Sequence, residues 1–282
     1  MDFSAQSANA LSIAVELARA ARAEIILLHV LDVPYLTPKD NPLLEAWLNG
    51  KQAATVSDQK NAYLAEIASI AQNKMQQLRK MCGKIPVQEK IWIAQVAKYI
   101  ASFIADQRID LVVMGARGST ENEDLLIGSN TEKVIRTATC PVLTVKQPVD
   151  RAHFRHICFA SDFMEISEKL IDFLLVLQGL FGAKLHLVKI ITPANFELSN
   201  ITLDHLRQFA TSHQLENYTV NYFNHLSEHE GIIAFGQEIG ADLLALGTHG
   251  STGLIHLLMG SVASDVANHA DLPVLTCNQY LA

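Results

Sequence analysis

Two stretches of the chain repeat one pattern at a fixed distance. Asp110–Asn130 reads DLVVMGARGSTENEDLLIGSN, and Asp242–Val262 reads DLLALGTHGSTGLIHLLMGSV. The pairs Asp110/Asp242, Gly115/Gly247, Gly128/Gly260 and Pro141/Pro273 are each 132 residues apart. An internal duplication this regular reads as two like units in tandem. The 282 residues suffice for two domains of ordinary size. The boundary falls in the short polar connection from Gln147 to His153, giving domains 1–148 and 149–282.

Each repeat carries the same local physics. An apolar run (Leu111–Met114, Leu243–Leu246) stops at a glycine, as a buried strand does when it meets a turn. Gly115 and Gly118, and likewise Gly247 and Gly250, bracket two residues, so amide N–H groups can approach a ligand with no Cβ in the way. Then Gly128-Ser129-Asn130 and Gly260-Ser261-Val262-Ala263 open helical runs, whose unpaired N–H donors and positive dipole end suit a phosphate. Elsewhere strand-like and helix-like segments alternate. Ile25–Val30, Val87–Ile93 and Val142–Lys146 read as strands in the first half; His156–Ser161, Lys184–Ile191, Tyr218–Phe223 and Val274–Cys277 do so in the second. Between them lie helical stretches, including Ala8–Arg22, Ser57–Met81, Val96–Gln107, Ser167–Phe181, Leu203–His213 and Ser227–Ile239. Alternation of this kind predicts an α/β fold with parallel sheets and right-handed crossovers.

Gly-x-x-Gly, nine residues, then Gly-Ser, placed between a strand and a helix and followed by Pro-Val-Leu, resembles the nucleotide-binding signature of the universal stress protein family. The resemblance covers nearly the whole chain as two tandem domains of the adenine-nucleotide alpha-hydrolase-like type. It implies a parallel five-stranded sheet flanked by helices in each half, with ATP or a related adenine nucleotide as ligand. By resemblance, Asp162 reaches the ribose from the end of the first strand, beside Ser161. Ala160 and Ser161 stand where the family often has Pro-Thr, which puts their contacts in doubt. By the same resemblance Ile190 takes the apolar position against adenine, and Gly247, Gly250, Gly260 and Ser261 cradle the phosphates, with Val262 and Ala263 continuing the helix; Leu246 and His249 complete the nucleotide-binding set, His249 as either a phosphate contact or an exposed loop residue. Mg²⁺ would bridge phosphates rather than sit in a protein cage. The last strands of the halves would pair as an internal pseudo-dimer, and a homodimer of two chains is a further option. The output would be a stress-response change in conformation or in binding to a protein partner that the sequence does not name.

The first half departs from this pattern in two ways. Asp2-Phe3 corresponds to Asp162-Phe163, yet only Met1 precedes it, so the first strand is missing from the sequence. That strand would be central, and its loss would leave two inner strand edges with unpaired N–H and C=O groups. The favoured expectation is a natural start upstream of Met1; the alternatives are that another segment fills the gap or that the flanking strands close on each other. The first glycine loop also carries Glu121, Glu123 and Asp124 against Arg117. Carboxylates beside a triphosphate repel it unless they face solvent or share a metal. The second loop, Gly247–Gly260, holds no acid, so the second half is the expected working site. Asp2, Val30, Gly115, Gly118, Gly128, Ser129 and Asn130 form the secondary set.

Other chemistry finds less support. A net charge of −7 with interspersed signs argues against nucleic acid and anionic membrane as partners. No run reaches about 18 apolar residues and no basic-then-apolar leader begins the chain, so the expected location is cytoplasmic. Cys82, Cys140, Cys158 and Cys277 form no CxxC pair and read as reduced core thiols. His29 and His186 read as packed strand histidines. His225-Leu-Ser-Glu-His229 fits a zinc-peptidase string, but Ser227 reads as a helix N-cap with Glu230 completing a capping box, which leaves His225 outside the helix. No Walker lysine and no GxGxxG follows a strand. Two rival readings stand beside nucleotide sensing: a scaffold that binds no nucleotide, and a slow ATPase lacking a loop cation for the γ-phosphate.

Overall fold

The computed structural model describes residues 1–31, 59–116, 127–149, 154–164, 166–248 and 260–278. In the second half, strands β5 (His156–Ala160), β6 (Lys184–Ile191), β7 (Tyr218–Asn224), β8 (Leu243–Thr248) and β9 (Val274–Asn278) are all parallel, in the order β9-β8-β5-β6-β7. Helices α5 (Glu168–Phe181), α6 (Ser199–Ser212), α7 (Glu228–Glu238) and α8 (Gly260–His269) make the crossovers. β5 lies in the middle and is buried on both faces after His156, as the unbroken apolar run Ile157–Ala160 requires. Its odd residues Ile157 and Phe159 enter one core with Leu170 and Leu174 of α5; its even residues Cys158 and Ala160 enter another with Phe235 of α7 and Val266 of α8.

Among the described residues the first half has four strands: β1 (Ile25–Leu31), β2 (Val87–Ile93), β3 (Val112–Gly115) and β4 (Val142–Val145). They form two separate parallel pairs, β1 with β2 and β3 with β4. Helices α1 (Ala5–Ala21), α2 (Gln59–Met81), α3 (Val96–Gln107) and α4 (Ser129–Thr137) surround them. Five strands in one sheet therefore describes the second half alone. β1 and β3 do not pair with each other, which removes the option that the flanking strands close together. Along β1 runs the Met1–Ser4 segment, whose Met1 amine donates to the Leu28 carbonyl and whose Met1 carbonyl meets His29 Nδ1. Against β3 packs the first turn of α1.

The halves join through their last strands. β4 pairs antiparallel with β9, matching Val142 with Thr276, Leu143 with Leu275, and Thr144 with Val274. Leu143 and Leu275 are duplicates 132 residues apart, so the pseudo-twofold axis passes between them. The surrounding bonds obey the same axis. Thr144 Oγ1 donates to the Val274 carbonyl (3.2 Å) and Thr276 Oγ1 to the Val142 carbonyl (3.4 Å). Lys146 Nζ donates to the Asn268 carbonyl (3.1 Å), and its counterpart Asn278 donates through Nδ2 to the Arg136 carbonyl (2.8 Å). Seven strands thus form one sheet, in the order β3-β4-β9-β8-β5-β6-β7.

Several local expectations meet a different outcome. β8 continues through Gly247 and Thr248, which pair with Cys277 and Asn278, because β9 is long enough to hold them. α6 starts at Ser199, earlier than Leu203. Ser227 is the N-cap of α7, but the capping box does not form. The Ser227 amide, which Glu230 would have to accept from, donates to His225 Nδ1 (3.2 Å), and the Ser227 hydroxyl meets His229 Nδ1 (2.9 Å). Both histidines of the zinc string thereby engage Ser227 through Nδ1. All four cysteines are free and buried, and burial pushes the Cys140 and Cys158 thiols up to about 12. No helix among the described residues is long and apolar enough to cross a membrane.

Two measurements follow from this architecture. Leu275 is fully buried at the axis, so Leu275→Ala should cost about 2–5 kcal/mol in denaturant unfolding. His29 and His186 are held below the ordinary histidine value of 6.5, both chiefly by burial, His186 also by His156 and Lys184. Below that value the unfolded chain binds protons that the folded rings resist, so stability falls as pH drops through it. The melting temperature should decline from pH 7.5 to 5.5, and decline less steeply in His186→Asn.

Candidate functional site

In an open parallel sheet, ligands settle beyond the carboxyl ends of the strands where the strand order reverses. For β9-β8-β5-β6-β7 that point lies between β5 and β8, whose crossovers leave in opposite directions. Ser161 and Asp162 follow β5, Gly247 and Thr248 end β8, and Ile190 and Ile191 end β6. The fold therefore brings the C-terminal residues of three strands to one crevice. Leu246, buried, pairs with Ala160 and Thr276 beneath it.

Asp162 is held by a tight local turn. Its Oδ1 accepts from the Met164 amide (3.1 Å), while Ser161 Oγ accepts from the Phe163 amide (3.0 Å). Asp162 Oδ2 has no partner among the described residues. Phe163 sits at φ 62°, a left-handed conformation costly for an aromatic residue. Its ring is fixed between Phe159 (5.4 Å) and Phe209 (5.0 Å), and that packing outweighs the backbone cost. The first half repeats the turn: the Ser4 amide donates to Asp2 Oδ1 (3.1 Å), and Phe3 has φ 65° against the His29 ring (4.5 Å). Burial alone would raise Asp2, but hydrogen bonds from Ser4 and Ser7 outweigh it and hold the carboxyl below the usual aspartate value.

The glycine positions differ between the halves. A Cβ built on Gly115 would stand 3.0 Å from main-chain and side-chain carbons of Gln6, because α1 lies against β3. Gly247 has no described atom within 4 Å of that place. In the first half the Gly128 amide, at the N-cap of α4, already donates to the Ala116 carbonyl (2.8 Å), and Thr131 Oγ1 donates to the Gly115 carbonyl (3.0 Å). The Ile127 amide donates to Asn268 Oδ1 of the other half. Ser129 and Asn130 are exposed at the start of α4, and Val30 is half-buried in β1. In the second half α8 begins at Gly260 and Ser261, followed by half-buried Val262 and buried Ala263; Ser264 is buried with its hydroxyl unpartnered among the described residues. Gly118, His249 and Gly250, with Arg117, Glu121, Glu123 and Asp124, lie outside the described residues.

Ile190 is buried, with its side chain in the core under α7, against the place a Cβ on Gly231 would take. Its main chain lies near the end of β6, at the crevice. Sequence reasoning passed over what holds that main chain. After β6, Thr192-Pro193-Ala194-Asn195 makes a turn closed by the Asn195 amide on the Thr192 carbonyl (3.2 Å). Proline at the second position was the legible sign of it. The Asn195 side chain then meets the Ile190 carbonyl, the Thr192 amide and Glu228. Among the described residues, no group of three or more His, Cys, Asp or Glu side chains could hold a metal ion.

Comparison with known proteins bears on this arrangement. The model of the universal stress protein family matches residues 1–146 and again 153–278. A universal stress protein of Methanocaldococcus jannaschii is 30% identical over 126 residues, 44% of this chain and 77% of the relative. One from Bacillus subtilis is 29% identical over 150 residues, 52% of this chain and 95% of the relative. Among solved structures, a universal stress protein from Archaeoglobus fulgidus superposes with a TM-score of 0.71 at 18% identity, covering 99% of this chain and 94% of its own, which establishes the shared fold.

The unequal glycines give a direct test. Gly115→Ala must push α1 off β3 and should cost about 1–3 kcal/mol in denaturant unfolding. Gly247→Ala meets no described atom and should stay within about 0.5 kcal/mol of the parent. Equal costs would contradict the asymmetry.

Proposed function

Since the chain belongs to the universal stress protein family, with two of its domains in tandem, we propose that the second half binds ATP or a related adenine nucleotide and that the first half serves as its structural partner. The observation that carries the reading is Gly247, which no described atom crowds, beside Asp162 at the reversal of strand order, against the closed Gly115 of the first half. In the second half a nucleotide would lay its phosphates toward Gly247 and the N-terminal amides of α8, where main-chain donors and the helix dipole favour negative charge. The ribose would meet Oδ2 of Asp162. The base would lie over the end of β6. Any Mg²⁺ would ride on the phosphates.

The reading is of a sensor more than a catalyst. Hydrolysis needs charge compensation at the γ-phosphate, and no lysine or arginine occurs between Gly247 and Gly260. Nucleotide would instead act by favouring one conformation of the crevice, and so one protein partner or a second copy of the chain, over another. For the first half, the nucleotide-free scaffold reading has a specific support: the Gly128 amide that would face a phosphate is taken by Ala116.

Titration calorimetry of the full chain with ATP and Mg²⁺ tests the proposal. One equivalent of nucleotide should bind, and Gly247→Asp, which sets a carboxylate at the phosphate end, should weaken binding at least about tenfold. A flat titration of the parent protein, or two equal sites, would overturn it.

A further inference from the structure

We propose that Asn195 controls the base subsite of the second half: its side-chain amide occupies the main-chain pair that a purine edge would read. The inference deepens the nucleotide reading above and rests on it.

The geometry starts from strand alternation. The Ser161 amide donates to the Val188 carbonyl (3.3 Å), so the Val188 carbonyl points toward β5. Two residues on, the Ile190 carbonyl points the same way, as does the Thr192 amide. The Ile191 carbonyl points the other way, where it accepts from the His225 amide (3.0 Å) after β7. β5 itself ends at Ala160, opposite Val188. The Ile190 carbonyl and Thr192 amide therefore look past the end of β5 into the crevice. They are one acceptor and one donor side by side, the complement of adenine's N6–H donor and N1 acceptor.

Asn195 presents the same pattern as adenine and is already there. Its Nδ2 donates to the Ile190 carbonyl (3.1 Å), and its Oδ1 accepts from the Thr192 amide (2.6 Å) and from Thr192 Oγ1 (3.0 Å). The second Nδ2 hydrogen goes to Glu228 Oε1 (2.8 Å), the first residue of α7. The orientation of the amide follows from its partners, because a carbonyl and a carboxylate only accept and a main-chain N–H only donates. The two strand-end groups are thus satisfied without ligand, and a base must displace Asn195 to reach them. Displacement also releases Glu228, which couples base binding to the start of α7. When only a fraction of molecules has the side chain withdrawn, the apparent affinity falls by that fraction.

The test compares ATP with inorganic triphosphate on the full chain by calorimetry. Asn195→Ala should bind ATP about tenfold more tightly than the parent, as expected if about one molecule in ten is open. Triphosphate, which lacks the base, should bind parent and variant alike. Glu228→Ala removes the outer anchor and should tighten ATP binding in the same direction by a smaller factor, so the test survives a poorly folding first variant. ATP affinity unchanged or weakened in both variants, or triphosphate tightened as much as ATP, would overturn the role of Asn195 while leaving nucleotide binding intact. A flat response to both ligands in parent and variants would overturn both readings together.

Discussion

The antiparallel pairing of β4 with β9 is the contact on which the first half depends. β3 and β4 are short, β3 half-buried and β4 buried, and among the described residues no strand of their own half links them to β1 and β2. A two-stranded parallel ladder of four residues could not hold itself in water. Joined to β9, it becomes the edge of a seven-stranded sheet whose cores run through both halves. Ala10, Ile13 and Leu17 of α1 share one core with Phe159 and Leu187, while Val134 and Ile135 of α4 share the other with Leu244 and Val266. β1, β2 and α2 keep a smaller core around Leu27 and Met75.

That dependence separates the two crevices physically. Where β5 stands in the second half, the first half has the Met1–Ser4 segment on one flank and the first turn of α1 on the other. The turn at Asp2-Phe3 nevertheless copies that at Asp162-Phe163, down to the left-handed phenylalanine, because an aspartate two residues before an amide closes the same ring wherever it occurs. Local chemistry was preserved while its surroundings changed. With α1 against β3, Gly115 is crowded where, among the described residues, Gly247 is not.

Much of this was readable in advance. The ends of β2, α3 and β6 agree with the segments Val87–Ile93, Val96–Gln107 and Lys184–Ile191, and the two strands are bounded by residues that cannot continue them: Pro86 before β2 and Pro193 after β6. The pairing of the last strands was implied by the family resemblance, and β4 with β9 bears it out. What escaped were contacts between side chains and backbone across elements. His225 took the amide that Glu230 needed, and Asn195 took the strand end assigned to a base. Neither choice leaves a periodic trace, because each depends on two segments meeting.

By itself the sequence determined the duplication, the parallel α/β alternation in each half, and the glycine-then-helix pattern at the ends of β3 and β8, all of which are spacings along one chain. Packing in space set the split of the first half into two strand pairs, the closure of Gly115 by α1 where no described atom meets Gly247, and the Asn195 cap on Ile190. Those outcomes turn on which groups come within about 4 Å of each other, and distance in space is set by packing between segments far apart in the chain.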